Sequence, residues 1–133
     1  MTRYKAAHVL AAVSALAFIA AAGMHVSNYR RVVLQAQEGI SGLAPLVATL
    51  WLAFAGAMLV LGGIVSLVAL RWVRGGRWVL AFAGCFPLIT VFLQLQLLGF
   101  TRATAMLAAV AAVSFVAALV YPGGPEPLAA GAA

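Results

Sequence analysis

The chain of 133 residues is 66% hydrophobic and 8% charged, with a mean hydropathy of +1.14. An ordinary soluble domain carries about 25% charged residues, so this composition excludes a water-soluble enzyme or nucleic-acid binder and points to a membrane protein. Its charges are eight basic (Arg3, Lys5, Arg30, Arg31, Arg71, Arg74, Arg77, Arg102) and two acidic (Glu38, Glu126).

These charges leave four long uncharged stretches, residues 6–29, 39–70, 78–101 and 103–125. Each exceeds the ~20 residues that a helix needs to cross about 30 Å of hydrocarbon. Backbone groups in lipid must be satisfied within the chain, so apolar runs of this length are helices. The expected architecture is an all-α, four-helix transmembrane bundle forming one membrane domain over 1–121.

The first span is expected near Ala6–Val26, with Ala7, Ala11, Ser14, Ala21 and Ala22 as small packing residues. Met1–Lys5 and the Ala20-Ala21-Ala22-Gly23 run also fit a secretory signal peptide. The apolar part is longer than the usual core of about 7–15 residues, which favours a resident helix. A polar loop follows, in which Glu38 is flanked by Gly39 and Gly42. The second span, Pro45–Leu70, has proline in its first turn. Thr49, Gly56 and Gly63 recur on one face of it, and Gly62 with Ser66 forms a small-residue pair. Arg71–Trp78 reads as a basic turn edged by interfacial tryptophans. The third span, Trp78–Leu98, contains Pro87, which removes a backbone hydrogen bond and kinks a helix. The lone Cys85 excludes an internal disulfide and a thiolate zinc cluster, and reads as a small filler. Gly99-Phe100-Thr101-Arg102 is too short to separate the third helix from the fourth, Ala103–Tyr121, so these two are antiparallel neighbours. Ala105, Ala108, Ala109, Ala112 and Ala117 are the small residues of that last span, and residues 122–133 read as a disordered tail.

An even number of spans puts both termini on one side, together with Arg3, Lys5, Arg71, Arg74 and Arg77. Arg30, Arg31 and Arg102 lie opposite, so the positive-inside rule predicts cytoplasmic termini. The preference for Arg over Lys, with abundant Ala, fits a GC-rich bacterial genome and hence a bacterial inner membrane.

Hydrogen-bonding side chains gather at the rim opposite the termini, which makes that rim the expected site. His25 is the candidate acid, base or ligand there, and Glu38 is the nearest carboxylate in sequence. Tyr29, Arg30, Arg31 and Arg102 are candidates to hold the head of a lipid or quinone-like molecule. Pro87, Thr90 and Gln94 share a helix face that leads from the rim into the bundle. Gln96 points away from Gln94, so one of the two faces the interior.

Missing features narrow the function further. No span holds an acid, which excludes carboxylate-driven proton exchange. His8 and His25 are ~25 Å apart along a helix and cannot share a metal. The chain has no phosphate-binding loop, dinucleotide fingerprint or haem-attachment motif, so no metal, cofactor or nucleic-acid partner is expected. Four spans in a short chain, a polar patch closing the first helix and Gly-rich second and third helices resemble the small bacterial proteins of DoxX-like type. That likeness is one of hydropathy outline and assigns no functional residue. Three functions then stand in order. The first is a non-catalytic accessory or structural membrane subunit, packed against copies of itself or a larger complex. The second is binding or transfer of a lipophilic molecule at the polar rim. The third is a membrane enzyme using His25 with Glu38 or Arg102.

Overall fold

The computed structural model describes residues 3–39, 41–70 and 75–122; the basic turn at 71–74 and the tail beyond Pro122 lie outside these. The elements are α1 (Arg3–Ser27), α2 (Tyr29–Gly39), a 3-10 turn (Ser41–Leu43), α3 (Ala44–Leu70), α4 (Gly76–Leu98) and α5 (Arg102–Val120), with no strand among the described residues. Four of these helices are long and apolar enough to cross a membrane, over Lys5–Ser27, Ala44–Leu70, Gly76–Gln96 and Arg102–Val120. The fold is an all-α, four-helix bundle whose long helices match the expected spans to within a few residues.

The segment expected to be a loop between the first two spans is helical instead. Tyr29, Val32, Val33 and Ala36 recur at spacings of three and four and are half-buried, whereas Arg30, Arg31, Gln35, Gln37 and Glu38 are exposed. That division is an amphipathic helix, the form that lies along a membrane surface. Glu38 therefore belongs to the last turn of α2 and not to a loop. At the junction the Ser27 hydroxyl and the Asn28 side-chain amide both donate to the Met24 carbonyl at 2.8 Å, satisfying the end of α1.

α1 packs along both α3 and α5, and α5 along α4, while α3 and α4 meet over a much shorter seam. Small residues set the close approaches. A Cβ on Gly62 of α3 would stand 3.2 Å from the Phe18 Cβ and 3.1 Å from the Ile19 Cγ1 of α1. A Cβ on Gly84 of α4 would stand 3.1 Å from the Ser114 Cβ of α5. In lipid, where apolar burial gives little drive, such backbone proximity and occasional polar contacts hold helices together. One polar contact joins α1 to α5 in the buried centre, between the hydroxyls of Ser14 and Ser114 at 2.7 Å. Because Ser114 donates to the Val110 carbonyl at 2.8 Å, Ser14 is the donor to Ser114.

The small-residue faces divide differently from expectation. Ala7, Ala11, Ser14, Ala21 and Ala22 of α1 are all buried, as is Gly62 of α3. Thr49, Gly56 and Gly63 instead face outward, and a Cβ on either glycine would meet nothing within 4 Å. On α5 the inner face runs through Thr104, Leu107, Val110, Ser114 and Ala117, leaving Ala105, Ala109 and Ala112 exposed. In both helices two small-residue faces compete, and the one flanked by larger apolar core residues is the one that packs. Pro87 is buried within α4, and Cys85 is half-buried. The outward surface is apolar along all four long helices, with Leu16 at 66%, Val60 at 63%, Phe82 at 74% and Leu119 at 65% exposure. Hydrocarbon, not water, is the solvent that suits such a surface.

Candidate functional site

The centre of the site is the last turn of α1. His25 lies with its ring stacked on Trp51 of α3, 3.7 Å between centroids and 14° between planes, and tilted against Phe54 at 4.6 Å. Trp51 and Phe54 are three residues apart and so project from one side of α3. The Trp51 Nε1–H donates to the His25 carbonyl oxygen at 2.6 Å, a second and shorter bond to a carbonyl that also accepts the Asn28 backbone N–H at 3.3 Å. Phe54 stacks in turn on Phe86 of α4 at 5.3 Å, which ties this aromatic group across the short α3–α4 seam. No hydrogen bond from a described residue reaches either ring nitrogen of His25.

Above this aromatic floor is a cavity of about 540 Å³. Met24 and His25 of α1 and Asn28 at the α1–α2 junction form one wall, with Trp51 and Phe54 beside them. Arg31, Val32 and Gln35 of α2 cross one edge of its mouth. Gln94 of α4, the cap residue Thr101, and Arg102 and Met106 of α5 complete the opposite wall. Its size falls within the ~300–1,000 Å³ of small-molecule pockets, and an apolar base with a few convergent polar groups is their usual chemistry.

The α4–α5 turn orients Gln94. Thr101 caps α5, its hydroxyl accepting from the Thr104 N–H at 3.1 Å, while the Thr104 hydroxyl accepts from the Thr101 N–H at 3.3 Å. Thr104 is buried, and its hydroxyl donates to the Gln94 Oε1 at 3.0 Å. With that proton committed, the 2.8 Å contact between the two hydroxyls has Thr101 as donor. The relay occupies the oxygen of the Gln94 amide, and no described residue accepts from its nitrogen.

Of the residues expected at the rim, His25, Arg31, Gln94 and Arg102 line this one cavity. Tyr29 is half-buried on the apolar side of α2, and Arg30 is exposed; neither lines it. Thr90 is half-buried and donates to the Phe86 carbonyl at 3.0 Å, closing a hydrogen bond within α4 in place of reaching the cavity. Glu38 is exposed on α2 and makes no contact with His25, so the expected acid–base pair does not form. The placement of Glu38 two turns beyond Arg31 on one continuous helix is what separates it. Gln94 is half-buried and Gln96 exposed, as their opposite directions require. Trp51 and Phe54 are the contributors that the sequence reading does not include, whereas Thr104 is among the hydrogen-bonding residues expected at the rim. Trp51 carried a signal, being an aromatic near the rim end of a span, the usual place for a residue with a polar handle.

Among the described residues no group of three or more His, Cys, Asp or Glu is placed to hold a metal ion. No protein-family model, curated protein or solved structure matches the chain, and the outline likeness to DoxX-like proteins gains no support there. The chemistry of the cavity is therefore the only guide to its use.

Proposed function

We propose that the protein binds a lipophilic molecule with a polar head, seated in the cavity at the α2 end of the bundle. The observation that carries this reading is the cavity itself: an aromatic floor of Trp51 and Phe54 beneath convergent polar groups from four helices. The ring or chain root of such a ligand would lie over the aromatic floor, and its head among Gln94, Arg31 and Arg102. We place the chain in a bacterial inner membrane with cytoplasmic termini, supported by the distribution of basic residues about the four spans. The cavity would then open toward the non-cytoplasmic surface. Catalysis by His25 has less support, because no carboxylate lines the cavity to assist it.

The test is extraction of the protein in mild detergent followed by mass spectrometry of the organic extract. A lipid or quinone should be retained in near-stoichiometric amount by the wild-type chain and lost from Gln94→Leu, whose helicity is unchanged. Equal, non-stoichiometric lipid in both would reject the reading.

A second reading, the accessory membrane subunit, rests on a separate surface: the outward Thr49, Gly56 and Gly63 face of α3, where a neighbouring helix could approach closely. A stoichiometric protein partner or a defined oligomer, disrupted by Gly56→Leu with Gly63→Leu, is its expected mark. A monodisperse monomer with no partner would reject it.

A further inference from the structure

The polar groups around the cavity are unevenly matched in kind, and this bears on the ligand's head. Arg31 and Arg102 both line the mouth, each exposed and neither with a carboxylate partner among the described residues. A guanidinium offers donors only. Gln94 adds its amide nitrogen, since the Thr104 hydroxyl occupies its oxygen. Against these donors, no Asp or Glu lines the cavity, and Glu38 lies two turns further along α2. A cationic head, such as a quaternary amine, would meet two like charges and no counter-charge.

Resting on the binding reading above, we infer that the ligand is an anionic amphiphile, with a phosphate or carboxylate head gripped by Arg31 and Arg102 and an apolar body over Trp51 and Phe54. The two arginines come from different elements, α2 along the surface and the start of α5. Their convergence is thus a property of the fold and not of a local basic run. Arg30, the neighbour of Arg31, is the internal comparison, because it is equally charged, exposed and on the same helix but faces away from the cavity. Charges attracting the protein to an anionic bilayer in general would act through Arg30 as through Arg31.

The experiment uses the full chain carrying Trp72→Phe and Trp78→Phe, which leaves Trp51 in the cavity wall as the only tryptophan. Reconstituted in phosphatidylcholine vesicles, it is titrated with phosphatidylglycerol or phosphatidylcholine bearing brominated chains, which quench a tryptophan they touch. Saturable quenching is expected at a markedly lower mole fraction of the anionic lipid. Arg31→Gln and Arg102→Gln should each raise that half-quenching fraction about fivefold, with Arg31→Lys retaining most of the preference and Arg30→Gln leaving it unchanged. Inorganic phosphate should not displace the lipid; displacement would mark a site for small anions and overturn the inference. Saturable quenching at equal fractions of the two lipids, or equal effects of Arg30→Gln and Arg31→Gln, would overturn it while leaving the binding reading intact. Purely collisional, unsaturable quenching by both lipids would overturn the binding reading and the inference together.

Discussion

Trp51 holds the end of α1 in two ways at once, its indole N–H on the His25 carbonyl oxygen at 2.6 Å and its ring flat against the imidazole at 3.7 Å. The same residue thus fixes both the backbone and the side chain of His25. It also sets the direction in which the imidazole edge meets the cavity.

Separating those two roles gives the first prediction. Trp51→Phe keeps a ring but loses the donor, and should lower stability in detergent by about 1 kcal/mol, the usual net value of one hydrogen bond. His25→Ala leaves the carbonyl acceptor and removes the stacked ring, so the hydrogen bond persists while Trp51 emission shifts. Thermal unfolding followed by tryptophan fluorescence measures both. Equal stability of Trp51→Phe and wild type would show that the Asn28 N–H alone serves that carbonyl as well.

The Thr104–Gln94 bond predicts an indirect effect on binding. Thr104→Val preserves shape but frees the Gln94 amide to rotate, so ligand retention should fall without loss of fold. Gln94→Glu puts a negative charge at the mouth and should abolish retention of an anionic ligand as Gln94→Leu does. Lipid content per mole of purified protein reports each.

Gly62 and Gly63 are adjacent but face opposite surroundings. Gly62→Leu would drive its side chain into Phe18 and Ile19, where even a Cβ stands within 3.2 Å. It should separate α3 from α1 and cost several kcal/mol, beyond the ~1–3 kcal/mol typical of an overfilled core. Gly63→Leu meets open space and should be neutral or slightly stabilising through helix propensity. Thermal aggregation in matched detergent distinguishes them.

Ser14 and Ser114 should show a coupling of ~0.6 kcal/mol, the average for hydrogen bonds between helices in membranes. A double-mutant cycle of Ser14→Ala and Ser114→Ala, read by unfolding in mixed micelles, measures it. Additive losses would mean that the Ser14 hydroxyl turns to a carbonyl of its own helix at no cost, as the Ser114 hydroxyl already does with Val110.

The threading itself is open to labelling. Cys85→Ser gives a cysteine-free chain, and Arg30→Cys and Arg77→Cys are both at exposed positions. An impermeant thiol reagent should reach residues 30 and 77 from opposite compartments. Reaction of both from the same side would overturn the four-span arrangement.

The four long helices were legible because uncharged length is a strong signal in a lipid solvent. Side preference within them was not. In α1 the stripe of Ala7, Ala11 and Ser14 is legible as the packed face, although Ala12, Ala20 and Gly23 put small residues on the exposed side as well. In α3 and α5 alanine and glycine occur at two phases, and only the surrounding bulk of Phe18 or Leu107 decides between them. α2 is masked in the sequence by its charges, which read as span boundaries, although Tyr29, Val32, Val33 and Ala36 mark an amphipathic helical pattern. At the rim, His25, Gln94 and Arg102 could be placed by depth along their helices. That Trp51 would reach His25 from another helix depends on relative helix rotation, which residue spacing does not encode; Thr90 turns to the Phe86 carbonyl of its own helix, a local bond open to any helical threonine.

The unequal seams have a consequence for biogenesis. Ribosomes deliver α1 to α3 first, and with them His25, Trp51 and Arg31; Gln94 and Arg102 arrive only with the closing hairpin. Until that hairpin docks, Ser14 also lacks its partner on α5. The cavity is thus the final product of insertion, and a chain arrested after its second span would carry the aromatic half without the wall that encloses it.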